Sequence, residues 1–368
     1  MSPRADEPDS ASAAPPASAS RSPWRRKLGL SIAAACLGLS VAEIALQVWA
    51  RLGNPPLYAL DPTLGWTHAP GVDRTLDDGT GRRVRFAIDA RGLRATPHAN
   101  TRTAGRRRVL VVGDSFTQGS QVEADELFTT RIEQQVPDVE VWNAGVGGYS
   151  TLQELLALPA HLAASTPDLV VLVVFENDLQ DNLMPYFSGL GPRPHLRVQG
   201  GTCTLVPTPD PAPFTRFLMP APGALWLYRH CALYRTLHKH VFLPAWGHEL
   251  AALEQAEREA LAEDDERTAM AWSLARIAQL VQDAKGRLLV AAIPPREEVR
   301  EGSARSHAWL ATQCRTLQVP FVSLLAPLQA TTAERAFFAH DIHLTAAGHA
   351  SVAAALAPAV AAALQQAR

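Results

Sequence analysis

The sequence predicts an α/β fold, a parallel sheet covered by helices on both faces and preceded by one transmembrane helix. Three observations carry this reading. Runs such as Val109–Val112, Leu169–Phe175 and Leu288–Ile293 are apolar at every position, many of them β-branched, as strands buried on both faces are. Helix-forming segments separate these runs, and strand–helix alternation implies parallel pairing. Ahead of them lies an apolar stretch from Leu28 to Ala50, about 33 Å long as a helix and so enough to cross a hydrocarbon core.

Composition agrees with a globular body. The 368 residues are 47% hydrophobic and 19% charged, with a formal net charge of −2. Near-neutrality argues against a nucleic-acid binder, which carries a basic excess. The length allows one large domain with attachments, or two. None of the four cysteines, Cys36, Cys203, Cys231 and Cys314, forms a CxxC pair or sits at zinc-ligand spacing with histidines. Cys203 and Cys231 could pair if their region is extracytoplasmic; otherwise they are unrelated small apolar residues.

Residues 1–27 are rich in Ser, Ala, Pro and Arg and read as a disordered cytoplasmic tail, unable to bury enough apolar surface to order itself. Arg25, Arg26 and Lys27 lie on the N-terminal side of the apolar stretch 28–50, so that end faces the cytoplasm and the remainder lies outside. This predicts a single-pass inner-membrane anchor with a periplasmic or extracytoplasmic domain. A cleaved signal peptide, lipidation at Cys36 and a buried core helix are the alternatives. Glu43 is the one charge in the stretch, costly in lipid unless it reaches the interface or a partner helix, with Gln47 one turn on. Residues 51–105 carry Pro55, Pro56, Pro62, Pro70 and several glycines and read as a loop-rich stalk or N-terminal extension packed onto the main domain, with a short strand at Val84–Ile88 and a turn at Asp89–Gly92.

The main domain spans 106–366. Val109–Val112 is its first strand, Phe128–Gln135 a helix, Val139–Trp142 the second strand. Thr151–Ser165 reads as a helix kinked or ended by Pro159, and Leu169–Phe175 as the third strand. Residues 183–245, rich in proline and aromatics, break the alternation and read as an inserted lid or substrate platform. Residues 248–285 favour one long helix or two. Leu288–Ile293 is a strand, Ser303–Leu317 a helix, Val319–Leu324 the last strand, and Ala346–Gln366 a closing helix with Pro358 as a break.

Four segments can carry chemistry. Gly113-Asp114-Ser115-Phe116 directly follows the first strand, and open parallel sheets bind ligands beyond the carboxyl ends of their strands. Asn143-Ala144-Gly145-Val146-Gly147-Gly148 follows the second strand, where glycines let backbone N–H groups approach a ligand. Phe175-Glu176-Asn177-Asp178 ends the third, where Asn177 can donate a side-chain hydrogen bond. Asp341-Ile342-His343 lies near the chain's end. A serine nucleophile needs a base, for which histidine is suited, and an acid beside the imidazole fixes its tautomer.

In their order and their placement at strand ends, the four segments resemble the SGNH hydrolases, also called the GDSL family, over roughly residues 106–366. The resemblance implies a three-layer α/β/α sandwich with a flavodoxin-like sheet, and no metal or organic cofactor. It assigns the nucleophile to Ser115 and the base to His343. It assigns the oxyanion hole to the N–H groups of Ser115 and Gly148 and the side chain of Asn177. Phe116 stands where the family has Leu, and Phe175 where it has Gly. The family's final Asp-x-x-His is here Asp-x-His, with His340 three residues before His343. Asp341 is accordingly the expected acid, with a Ser–His dyad as the alternative; the Asp-x-His form is similar to membrane-anchored members and to related polysaccharide O-acetylation proteins.

The function so implied is that of an extracytoplasmic serine esterase acting on acyl esters, acetyl above all, on a small molecule or an envelope glycan. A polysaccharide O-acyltransferase using the same residues, and a non-catalytic envelope protein on this fold, are the alternatives. The implied partners are the membrane and the acylated substrate, with no nucleic acid.

Overall fold

The computed structural model describes residues 23–53, 56–97, 101–187, 190–208 and 223–365. They fall into two compact units, Met1–Val48 and Trp49–Arg368. Most of the expected cytoplasmic tail, residues 1–22, lies outside the described residues.

Helix α1 (Pro23–Gly53) is 31 residues long. Its segment Trp24–Trp49 is long and apolar enough to cross a membrane, and every side chain from Trp24 to Val41 is exposed. Gln47 Nε2 donates to Glu43 Oε1 at 2.6 Å, so the acidic residue of the span has a polar partner on its own helix.

The loop-rich stretch after α1 carries more strand than the one expected at Val84–Ile88. β1 (Tyr58–Asp61) and β2 (Gly65–His68) form one hairpin, and β3 (Asp73–Asp77) and β4 (Arg83–Ala87) a second. Asp61 Oδ1 closes the first turn by accepting from the N–H groups of Thr63 and Leu64 at 2.8 and 2.7 Å. The strand expected at Val84–Ile88 is β4, whereas β1, β2 and β3, of four or five residues, leave too short an alternation to register in the sequence. The hairpins are stabilised by what they bury: Trp66, Val84 and Phe86 are almost completely enclosed.

The main domain follows the expected alternation. β5 (Arg107–Gly113) leads through α2 (Ser115–Gln118) and α3 (Phe128–Gln135) to β6 (Val139–Asn143). Helix α4 (Thr151–Ser165) returns the chain to β7 (Leu169–Phe175), which runs into α5 (Asn177–Asp181). The insertion then builds two small hairpins, β8 (Tyr186–Phe187) with β9 (Gly191–Pro192), and β10 (His195–Gln199) with β11 (Thr202–Val206). Helices α6 (Ala224–His230) and α7 (Ala232–Leu237), a π-helical turn over His238–Phe242, and α8 (Leu243–Glu259) complete it. The predicted aromatic Phe214 lies outside the described residues. Helix α9 (Glu263–Asp283) follows, so the long helical stretch is two helices. Then come β12 (Arg287–Ile293), α10 (Arg296–Glu301), α11 (Arg305–Thr316), β13 (Phe321–Ser323), α12 (Leu325–Thr331), α13 (Ala333–Ala336) and α14 (Ala346–Gln365).

The five long-domain strands form one parallel sheet in the order β13-β12-β7-β5-β6. In chain order this is the flavodoxin-like arrangement, in which the winding reverses beside the first strand. Alternate strand residues feed two cores. Val109, Val111, Val171 and Val173 pack with α3 and α14 through Ile132, Val352 and Leu356. Leu110, Val112, Val170 and Leu172 pack with α4, α9 and α11 through Leu158, Leu274 and Leu310. The result is the three-layer sandwich.

Two expectations need correction, and one open question is resolved. Neither Pro159 nor Pro358 ends its helix. Pro159 is exposed, whereas Leu152, Leu155, Leu158 and Leu162 of the same helix are buried, so packing of that face outweighs one lost backbone bond. Cys203 and Cys231 are free thiols; Cys203 Sγ lies 3.7 Å from the Thr268 carbonyl, while Cys231 Sγ accepts from the Tyr234 N–H at the start of α7. Since Pro159 makes no packing contribution commensurate with its backbone cost, Pro159→Ala is expected to stabilise the protein by about 1–3 kcal/mol. Urea unfolding of the full chain measures this, and an unchanged or lower midpoint contradicts it.

Candidate active site

Ser115 opens α2 at the carboxyl end of β5. Asp114, fully buried, caps that short helix by accepting from the Phe116 N–H at 2.9 Å. Gly113 is required by close packing: a Cβ there would meet Thr117 Oγ1 at 2.2 Å. Asn143, at the end of β6, ties the next loop to this turn. Its amide donates to the Thr117 carbonyl at 2.6 Å and its oxygen accepts from the Gly145 N–H at 3.0 Å. The loop ends at Gly148, whose φ of 75° is a conformation that suits glycine. Ser150 then starts α4 with a capping box to Gln153.

Asp341 and His343 lie on the loop between α13 and α14. Phe337 and Leu344 pair across it, the Phe338 N–H donates to the His343 carbonyl at 3.0 Å, and Arg296 Nη1 donates to the carbonyls of Phe338 and Ala339. Held in this way, His343 Nε2 lies 2.7 Å from Ser115 Oγ and His343 Nδ1 lies 2.7 Å from Asp341 Oδ1. With the serine hydroxyl donating to Nε2, the proton belongs on Nδ1, which Asp341 accepts. The shortened Asp-x-His spacing therefore reaches, with Ile342 turned to solvent at 57% exposure. His340 is engaged elsewhere, its Nε2 3.1 Å from the Asp78 carbonyl. The hydrogen bond from His343 holds the Asp341 carboxyl down to about 2, so it stays ionised through any ordinary assay range.

Asn177 opens α5 at the end of β7. Its Nδ2 donates to Asp181 Oδ2 at 2.9 Å, and its Oδ1 has no hydrogen-bond partner among the described residues. One amide N–H remains for another acceptor. Gly148 and Asn177 thus follow the two strands that flank β5. The two aromatic departures from the family pattern meet each other: the rings of Phe116 and Phe175 stack at 4.1 Å, and Phe116 lies 5.0 Å from the His343 ring.

Sequence reasoning missed several residues. Gln121 Nε2 donates to Asp341 Oδ2 at 3.2 Å and lies 2.9 Å from His343 Nδ1, so it sits beside the junction of the carboxylate and the imidazole. Asp181 was detectable in principle, because residues four apart share a helix face. Gln121, Arg193 and Trp66 meet the site only through tertiary contacts and leave no local signature.

The model of the GDSL-like lipase/acylhydrolase family matches residues 111–351. No curated protein matches the chain. Among solved structures the chain is similar to the crystal structure of TesA, at 16% identity over 70% of this chain and 99% of that one, with a TM-score of 0.39. It is also similar to the psychrotrophic esterase EstA from Pseudoalteromonas sp., solved with monoethylphosphonate as inhibitor, at 10% identity over 71% and 100% of the two chains, TM-score 0.41. A two-domain esterase active on acetylated mannans aligns at 14% identity over 72% of this chain and 51% of that one, TM-score 0.38.

Three more carboxyls are buried around these strand ends. Burial pushes Asp114 up to about 6. It pushes Glu154 and Asp178 well above the usual carboxylate range, each raised further by neighbouring carboxyls. Neither oxygen of Glu154 has a hydrogen-bond partner among the described residues. A carboxyl raised in the folded state keeps its proton there after the unfolded chain has released it. The penalty is therefore absent below about pH 4, grows as pH rises through the folded value, and persists above it. For Asp114 that window closes near 6; for Glu154 it extends higher. Glu154→Gln, which removes the titration, is expected to raise Tm more at pH 8 than at pH 5. A Tm difference independent of pH contradicts this.

Proposed function

The chain belongs to the GDSL-like lipase/acylhydrolase family, and from that premise we propose that this ester-bond hydrolase is a membrane-anchored serine esterase with Ser115 as nucleophile. The observation that carries the reading is the unbroken relay from Ser115 Oγ to His343 to Asp341, with both hydrogen bonds at 2.7 Å. Nucleophile, base and orienting acid are in hydrogen-bond reach before any substrate arrives.

In this mechanism His343 Nε2 takes the Ser115 proton as Oγ attacks the acyl carbonyl. The carbonyl oxygen becomes an oxyanion held by the N–H groups of Ser115 and Gly148 and by the Asn177 amide. As the tetrahedral intermediate collapses, His343 gives the proton to the departing alcohol oxygen. Water, deprotonated by His343, then attacks the acyl-enzyme, and the acid leaves as Ser115 regains its proton. Asp341, ionised throughout, accepts from Nδ1–H and stabilises the imidazolium formed in both halves.

The proposed substrate is an acetyl ester on an extracytoplasmic glycan. Supporting this is a cavity of about 730 Å³ lined by Tyr58, Asp61, Trp66, Leu190, Tyr228 and Arg235. Aromatic faces beside charged hydrogen-bonding groups suit a sugar. It adjoins the glycine loop, since Trp66 and Leu190 are the nearest neighbours a Cβ at Gly148 would meet, each at 3.3 Å. The proposed address is an inner membrane crossed once by α1, with Arg25, Arg26 and Lys27 on the cytoplasmic side.

Activated acetyl esters such as p-nitrophenyl acetate test the reading. Ser115→Ala is expected to lower kcat at least about 10³-fold, and Asp341→Asn about 10²–10⁴-fold, with unfolding midpoints preserved. A fluorophosphonate should label wild type at Ser115. Wild-type turnover retained in Ser115→Ala rules out the nucleophile. Assay with an acetylated donor and a glycan acceptor separates release of free acetate from transfer to the glycan, and transfer as the main product replaces the hydrolase with the acyltransferase.

A further inference from the structure

We propose that Trp66 and the Asp181–Arg193 pair are positioning residues for the oxyanion hole, fixing the two donors that Ser115 does not itself supply. The inference rests on the esterase reading and adds to it residues from the N-terminal extension and the insertion.

The Gly148 N–H shares a peptide plane with the Gly147 carbonyl. In a trans peptide the two groups point in opposite directions, so whatever fixes the carbonyl aims the N–H. The Trp66 indole does this: its Nε1 donates to the Gly147 carbonyl at 3.0 Å. The preceding peptide is fixed too, because the Gly147 N–H donates to Gln118 Oε1. Successive glycines otherwise allow many peptide orientations. Trp66 is placed by its own contacts, since it is 1% exposed and the Tyr149 hydroxyl donates to its carbonyl at 2.8 Å.

The other donor is held from the opposite wall. Asp181 Oδ2 accepts from Asn177 Nδ2 at 2.9 Å, engaging one amide hydrogen and leaving the second for the oxyanion. Asp181 is itself pinned by Arg193, whose Nη2 reaches its Oδ1 at 2.8 Å. The same guanidinium donates through Nε to the Met184 carbonyl and through Nη1 to the Gly148 carbonyl, both at 3.1 Å. One fork therefore joins the loop after β6 to the helix after β7. Arg258 of α8 closes the arrangement, its Nη2 lying 2.6 Å from Asp181 Oδ1. Asp181 and Arg193 are both 0% exposed. Burying such a pair does not generally add stability over apolar replacements. What a guanidinium fork supplies is fixed geometry at several acceptors at once.

Positioning of oxyanion donors acts on the transition state, where charge has moved to the carbonyl oxygen, more than on bound substrate. The full chain with Trp66→Phe keeps an aromatic ring and removes only the N–H donor. Arg193→Lys keeps the charge and loses the fork. Each is expected to lower kcat about 10–100-fold on p-nitrophenyl acetate, with KM within about threefold. Inhibition by an alkylboronic acid, a tetrahedral mimic, should weaken in proportion to the loss in kcat/KM. Circular dichroism and unfolding midpoints report folding; if Arg193→Lys does not fold, Trp66→Phe decides. Wild-type turnover with Trp66→Phe keeping kcat within twofold overturns this inference alone, as does a KM-only effect. A wild-type chain that neither turns over ester nor labels at Ser115 overturns the esterase reading, and this inference with it.

Discussion

A parallel sheet buried on both faces has to reverse its winding somewhere, and the site depends on where this one does. Crossovers between parallel strands are right-handed. The step from β5 to β6 runs one way and carries α3 on one face. The step from β6 back past β5 to β7 runs the other way and carries α4 on the opposite face. The chains leaving β5 and β7 therefore diverge at their carboxyl ends and open a crevice beside β5. Ser115 stands at the end of β5, and Asn177 at the end of β7. Returning from β13 through α12 and α13, the chain brings Asp341 and His343 to Ser115 before α14 covers the sheet.

The loop sequences follow from that crevice. The turn after β5 brings the Ser115 side chain out while its backbone packs tightly, which explains Gly113 against Thr117 and Asp114 as the cap. The loop after β6 must lie close to that turn, and Asn143 bridges the two. The departures from the family pattern are intelligible as a pair. Phe116 and Phe175 occupy adjacent strand ends and stack, so the larger side chain at one position is matched by the larger side chain at the other. The shortened Asp-x-His segment is accommodated by turning Ile342 outward and anchoring the loop through Arg296.

The three long central strands were legible to within two residues because burial on both faces leaves an unbroken apolar run. The four chemical segments were legible because each sits at the end of such a run or near the chain's end with its own residue pattern. Pro159 and Pro358 misled because local propensity knows nothing of the sheet that holds the rest of each helix in place. Apart from β4, the strands within residues 56–97 were hidden by their length, not by unsuitable residues: Trp66 is a strong core former whose partner lies far along the chain. Arg193 is the extreme case. In sequence it is one arginine between two prolines, and only the tertiary structure reveals three acceptors around it.

Electrostatics explain how several acids can lie close to the proposed oxyanion hole. An oxyanion is disfavoured by ionised carboxylates nearby and favoured by oriented N–H dipoles. Glu154 and Asp178 are buried deeply enough that their neutral forms are favoured, which removes most of their repulsion. Asp181 faces Arg193 and Arg258, so any negative charge on its carboxylate meets two cations. Asp341 keeps its charge, but on the far side of His343 from Ser115, where in the proposed mechanism it favours the imidazolium that accompanies the oxyanion. Glu154 and Asp178 thus favour their neutral forms, Asp181 is paired, and Asp341 is placed where, in the proposed mechanism, a full negative charge helps the reaction.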